Sequence, residues 1–400
     1  SSARGPPGPG VRRSPGRRFR GKSPTSVFWA CGLQNREPAG KLTIDDINKG
    51  VDTEKFQPVG QAAVALGQIT DAVWFRARLR NDAAEKLHVN WAINYIFLEN
   101  IDIYQIENHQ VVDHLLLGKV MPYSARRVKV DPYIFPVTLQ AGEEAEIIWR
   151  IKSGVPMLIP FMLTDDIALA HYEGANSTRV GIYIGIMSGM AFYNLFLFLA
   201  IRDRAYLYYV FFIAFGSLVQ AALLGVLDKF TPEAVAFNRM NGNLTSSLAI
   251  CFGILFSMRM LEVQHLSPLL QRVLKGFIVF FALCTAGSIL NITNIHIPLT
   301  VGVGVMSLIV WGVAIYRVKQ GSVPARYFLT AWTVWTVGAV IASSLYAGAL
   351  PYNDLTLWAS PISSAVLATF LSFSLAAHIN LMRKQQHESA LAAQRAHAES

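Results

Sequence analysis

The sequence predicts a two-part membrane protein. An all-β sandwich of jelly-roll type comes first, followed by an all-α bundle of seven transmembrane helices and a cytoplasmic exit helix. Three observations carry this prediction. Only 15% of the 400 residues are charged and 52% are hydrophobic, against roughly 25% charged in soluble domains. The charge deficit falls over about residues 180–382, where apolar runs near the length of a membrane span recur. Residues 27–172 keep ordinary polar density and alternate apolar with polar side chains. A wholly soluble chain is excluded.

Residues 1–26 open with SSARGPPGPGVRRSPGRRFRGKSP, rich in Gly, Pro, Ser and Arg and without apolar periodicity. Such a segment buries too little to offset its ordering entropy, so a disordered basic tail is expected. VFWACGL (27–33) is too short and too poorly flanked to be a signal peptide. The net charge of +9 comes largely from this tail and from short loops between apolar runs. There positive charge serves membrane topology, and no nucleic-acid partner is implied. The three cysteines fit no CxxC or His/Cys pattern, so neither a metal nor another cofactor is expected.

Residues 27–172 are expected to form an extracytoplasmic β-sandwich. In VWFRARLRN, Phe75, Ala77 and Leu79 share one face, while Trp74, Arg76, Arg78 and Arg80 share the other. Leu87/Val89/Trp91/Ile93, Ile101/Ile103 and Ala145/Ile147/Trp149/Ile151 repeat the pattern. Turn residues at Asn81-Asp82, Gly118, Asp131-Pro132, Gly142 and Ser153-Gly154 separate the runs. Catalytic chemistry is scarce, because nothing pairs a nucleophile with a base. His109, Asp113 and His114 read as surface polar residues rather than metal ligands. The candidate ligand-binding residues are Trp74, Arg76 and Arg78, with Tyr123, Arg126 and Arg127 from MPYSARRV. Flat aromatics stack on sugar rings, and Arg forks bind carboxylates and phosphates. The competing reading is a solvated strand face with one interface Trp.

Seven apolar segments follow within residues 179–382, approximately 180–201, 205–227, 241–261, 274–292, 298–318, 327–349 and 357–382. One set of connections holds Arg202, Arg204, Arg259, Arg272, Lys275, Arg317, Lys319 and Arg326, with Arg383 and Lys384 at the exit. The opposite set is nearly free of Lys and Arg. The rich side is therefore read as cytoplasmic, which puts the β-domain outside. No Asp, Glu or Lys lies in the middle of a segment, unlike ion-coupled transporters. Gly181, Gly185 and Gly189 form a small-residue ladder for close helix packing, in the bundle or in a homodimer. Residues 383–400 continue the last helix without Gly or Pro and read as a cytoplasmic signalling-helix linker, with an output domain expected beyond Ser400.

These parts together resemble a bacterial family of seven-transmembrane receptors with diverse intracellular signalling modules. The outer-domain resemblance is carried by KLTIDDI (41–47), FQP (56–58), AVWFRARLRN (72–81), ENIDIY (99–104), GKVMPYSARR (118–127) and IFPVTL (134–139). In the membrane part it is carried by MRMLEVQHLSPLLQRVLK (258–275), PARYFLTAW (324–332) and LSFSLAAHINLMR (371–383). Ser363 and Leu367 depart from the family pattern, which has a Gly and an acidic residue ahead of the LSxxLA segment. The resemblance implies an inner-membrane receptor with a carbohydrate-binding-like periplasmic domain. Its partners would be an extracytoplasmic small-molecule or carbohydrate ligand, the lipid bilayer, and a cytoplasmic histidine kinase or diguanylate cyclase. It implies no enzyme activity in this chain itself. The rival reading is a transporter, or its accessory subunit, with an extracellular β-domain.

Overall fold

The computed structural model describes residues 27–37, 42–49, 56–58, 63–67, 69, 71–290, 292 and 295–399. The expectation of a disordered tail over 1–26 lies outside them. The chain divides into two compact units between His171 and Tyr172.

Among its described residues the first unit holds ten strands: β1 (Val27–Glu37), β2 (Gln57–Pro58), β3 (Ala63–Gly67), β4 (Ala72–Asn81), β5 (Leu87–Ile93), β6 (Asn100–Glu107), β7 (Gln110–Leu117), β8 (Tyr133–Leu139), β9 (Glu144–Lys152) and β10 (Met157–Thr164). They form two antiparallel sheets, ordered β2-β1-β4-β9-β6-β7 and β3-β10-β5-β8. Strands β3 to β10 therefore follow jelly-roll connectivity, with β1 and β2 added at one edge. The alternation on β4 holds as expected: Phe75, Ala77 and Leu79 are buried, while Arg78 and Arg80 are exposed. Between the sheets Trp91 meets Trp149 edge-on at 4.9 Å, and Phe161 packs on Trp149 and Phe75 at 5.2 Å each. Burying rings of this size supplies much of the sandwich's hydrophobic stabilisation.

Short helical turns interrupt the β pattern, among them a 3-10 turn at Tyr123–Ala125. Helix α1 (Ile44–Asn48) starts at a capping box, in which the Asp46 backbone N–H donates to Thr43 and the Asp46 carboxylate accepts from the Thr43 N–H. The Thr43 hydroxyl also donates to that carboxylate at 2.7 Å, and this bond, then the one from the Thr43 N–H, holds the Asp46 carboxyl below the usual carboxylate range.

The second unit is helical. Among the described residues, seven helices are long and apolar enough to cross a membrane. They are α2 (Asp166–Ile201), α3 (Arg204–Leu223), α5 (Val235–Met260), α6 (Pro268–Ile289), α7 (His296–Lys319), α8 (Val323–Tyr346) and α9 (Asp354–Glu399), with a short α4 (Val226–Phe230) between α3 and α5. Their ends differ from the apolar segments for local reasons. Helix α2 begins 14 residues before Val180, where the Asp165 carboxylate accepts from the Ala168 N–H. Helix α3 stops at Leu223 because Gly225 takes a left-handed φ of 76° and starts α4. Helix α6 begins at Pro268 because Ser267 caps it. Aromatic rings tie α3, α5 and α8 together: Tyr209 to Phe256 at 5.8 Å, Phe256 to Phe328 at 6.2 Å and Phe328 to Trp332 at 5.6 Å.

Candidate functional site

The outward face of the six-stranded sheet carries half of the candidate residues, and their fates differ. Trp74 is only 1% exposed and packs with Ile47, Phe56, Ile106 and Ile148. The segment carrying α1 lies over it, so its ring belongs to a small second core. Arg76 forms a bidentate ion pair with Glu146 of the neighbouring β9. The same carboxylate accepts Nε of Arg78 at 3.2 Å, yet the Arg78 side chain is 61% exposed. Glu146 thus holds two guanidinium groups side by side while the Arg78 side chain stays largely exposed.

Tyr123, Arg126 and Arg127 sit apart from the β4 trio, on the loop between β7 and β8. Gly118 launches that loop: its φ is +116°, and a Cβ there would collide with the Glu99 carbonyl. Arg126 is 8% exposed. It donates to the carbonyls of Val130 at 2.8 Å and Asp131 at 3.1 Å, between the Tyr123 and Tyr133 rings at 4.7 and 4.5 Å. Arg127 grips Asp113 of β7 bidentately. Its hydrogen bonds hold the Asp113 carboxyl below the usual range, and Asp113 raises Arg127 in return.

A second polar group on the same sheet face has no counterpart in the sequence-based candidates. Arg150 lies 5.7 Å from the Trp74 ring and 3.7 Å from Asp102, whose other oxygen is 3.4 Å from His114 Nε2. The His114 ring stacks on Tyr104 at 4.4 Å, nearly parallel. Burial, then the Asp102 charge, pushes the Tyr104 hydroxyl above its usual value. Alternation on β6 and β9 gives each residue its face, but the sheet order joins them: Asp102 pairs with Arg150, and Tyr104 with His114.

On the opposite sheet, the Asn90 amide donates to Asp166 at 2.6 Å. Leu169 packs with Ala92 and Ile134. The first turn of α2 is therefore anchored to β5.

Within the helical unit, α9 is hydrogen-bonded to its neighbours at a regular interval. Gln220 of α3 donates to Ser360 at 2.7 Å, and Tyr183 of α2 meets Ser364 at 3.1 Å. Tyr209 of α3 donates to the Ala368 carbonyl at 2.7 Å, and Asn194 of α2 donates to Ser372 at 3.2 Å. Ser374 donates to the Pro324 carbonyl of α8 at 2.9 Å. Ser363 fits so closely against Gly338 of α8 that a Cβ on Gly338 would collide with it. At the Asp354 end of α9, Arg179 of α2 pairs with Asp354 at 3.2 Å and lies 5.3 Å over the Trp358 ring. Near the Lys/Arg-rich connections, Arg317 of α7 is paired with Glu262, a non-Gly residue at φ 49°.

A family model described as 7TM diverse intracellular signalling matches residues 177–378, just over half of the chain. The chain belongs to that family. A second model, 7TMR-DISM extracellular 2, matches residues 34–165, the strand-bearing part of the jelly roll. A comparison with curated proteins finds no match. Membership makes this 7TM diverse intracellular signalling protein a multi-pass membrane sensor, and both matched domains are sensory rather than catalytic. The four-residue ladder on α9 is a further feature of this 7TM protein that sequence reasoning missed. Serines scattered through SPISSAVLATFLSFSLA look like tolerated small residues in an apolar span, and their partners lie 140 to 181 positions away.

Proposed function

We propose that this protein is a bacterial inner-membrane receptor, with the jelly roll in the periplasm and the C-terminal end of α9 in the cytoplasm. It senses a small polar or carbohydrate-like ligand and relays the bound state to an output module such as a histidine kinase or diguanylate cyclase, acting as a homodimer. The observation that carries this reading is the continuity of α9. Its 46 residues span roughly 69 Å at about 1.5 Å per residue, against a hydrocarbon core of about 30 Å. One helix thus links the hydrogen-bonded partners of the bundle to the aqueous side. The Lys and Arg bias of the connections supports the orientation.

For ligand capture, Arg78 is the residue favoured by geometry. Its side chain is 61% exposed while its Nε is held by Glu146, so a carboxylate or vicinal hydroxyls would meet a partly pre-oriented guanidinium. Arg76 supports it through the shared carboxylate. Trp74, Tyr123, Arg126 and Arg127 contribute through the packing around that face and the adjoining loop. The test is a thermal-shift screen of neutral and acidic saccharides on the full chain in nanodiscs. A saccharide should raise Tm, and Arg78→Ala should abolish the shift without lowering the unliganded Tm. A shift that survives Arg78→Ala would move the site elsewhere, and no shift with any saccharide would remove the carbohydrate class.

A further inference from the structure

The partners of α9 toward α2 and α3 sit at 360, 364, 368 and 372, four residues apart throughout. A ladder with a constant step fits its partners in more than one position. Moving each partner four residues back along α9 would bring Gln220 to Thr356, Tyr183 to Ser360, Tyr209 to Ser364 and Asn194 to Ala368. Three of the four places would then hold a hydroxyl. Thr356 is already buried; its hydroxyl donates to the Pro351 carbonyl at 2.8 Å and accepts from the Asn353 N–H at 3.2 Å, which leaves its second lone pair to accept from Gln220.

The notch at Gly338 decides the direction. It now receives Ser363, whose Oγ and Cβ would overlap a Cβ on Gly338, so the α8 and α9 backbones are in close approach there. A step of α9 toward its Arg383–Lys384 end would place Ala359 in the notch. The opposite step would place Leu367 there, and a branched side chain at so close an approach overpacks it. The notch therefore favours the step that brings in Ala359. At the far end, the same step keeps Arg179 beside an acid, because Asp354 moves to where Trp358 now sits under the guanidinium.

From this we infer that α9 has two registers against α2 and α3, one helical turn apart, and that an advance of α9 toward the cytoplasm is the signalling step. The inference rests on the receptor reading for its meaning, not for its geometry. The displacement is about 6 Å with a rotation of about 40°, at about 1.5 Å and 100° per residue. The observed register is favoured, because the advanced one gives up the Asn194–Ser372 and Ser374–Pro324 bonds. One-turn steps between packed helices are an established kind of two-state transition.

The test uses the full chain in nanodiscs, with its three cysteines replaced by Ala and spin labels at Gln320 and Gln386. Both positions are exposed. Pulsed dipolar spectroscopy should find one main distance and a minor one displaced by up to about 6 Å. An interhelical hydrogen bond in a membrane changes such a ratio by about threefold on average. Ser372→Ala should therefore raise the minor fraction about threefold, and its combination with Ser374→Ala should approach tenfold. Ala368→Ser should raise it too, by giving Asn194 a partner in the advanced register. Ser360→Ala should leave the ratio unchanged, since it removes one rung from each register. A single distance in every variant would overturn the inference, as would Ser360→Ala acting like Ser372→Ala. Either result would leave the receptor reading intact, since ligand capture tests that separately.

Discussion

Arg126 and Arg127 are adjacent and equally charged, yet the fold uses them in opposite ways. Arg126 is enclosed by two tyrosines and two carbonyls, so Arg126→Ala should cost the jelly roll about 2–4 kcal/mol. Trp74→Ala should cost about 3–5 kcal/mol by leaving a cavity under α1, while Arg78→Ala should stay within about 0.5 kcal/mol. Tryptophan fluorescence during chemical unfolding of the full chain checks all three. Arg127 acts through charge. Its partner Asp113 has a lowered pKa in the folded state, so their pairing is fully present above the unfolded Asp value of about 3.9. It is lost as pH falls through the lower, folded value. Asp113→Asn should therefore reduce stability at neutral pH and flatten the acid limb of a pH–stability curve, with no change expected from pH 6 to 8. The period of two in the sequence assigned Trp74 and Arg78 correctly to one strand face. It carried no information about what lies over that face. Ile47 and Phe56, far back in the chain, cover the Trp and leave the Arg in water, and only the completed topology tells the two apart.

At the scale of elements, hydropathy reports where lipid can lie and not where a helix begins. Helix α2 starts at Asp166 and α6 at Pro268 because capping and backbone hydrogen bonding decide helix ends. The seven spans were legible because each is a long apolar run. The ladder was not, because a hydroxyl and its partner on another helix leave no joint periodic trace. The glycines divide in the same way. In the sequence, Gly181, Gly185 and Gly189 look like the close-packing stripe, but a Cβ at any of them would meet no neighbour within 4 Å, whereas one at Gly338 would. Gly338→Ala should therefore destabilise the helical unit by about 1–3 kcal/mol through overpacking. Gly185→Ala should be neutral, or stabilising by up to about 1 kcal/mol through helix propensity. Unfolding in mixed micelles by SDS measures both. Equal losses from the two would mean that α2 is packed along its glycine edge in the membrane.

For the whole molecule, two properties connect the ends: orientation and the stiffness of the exit helix. The Lys and Arg bias predicts that an introduced Cys at Asn353 reacts with an impermeant reagent in intact cells, and one at Gln320 only after permeabilisation. The reverse pattern would invert the receptor. Stiffness can be tested without knowing the ligand. Helix α9 passes Arg383 and Lys384 and continues unbroken to Glu399, so displacement at Ser372 should arrive beyond the membrane as displacement and not merely as proximity. Inserting Gly-Gly after Ala390 should cost about 2 kcal/mol of local helix propensity and rotate everything downstream by roughly 200°. Four inserted Ala residues add about 6 Å but rotate by only about 40° beyond a full turn. With a diguanylate cyclase fused after Ser400, the Gly-Gly insertion should erase the effect of Ser372→Ala on basal output. The four-Ala insertion should preserve it, because register is restored while only length changes. Identical responses from both insertions would show that the segment tethers its output domain, and the signal would then have to leave the bundle by another helix end.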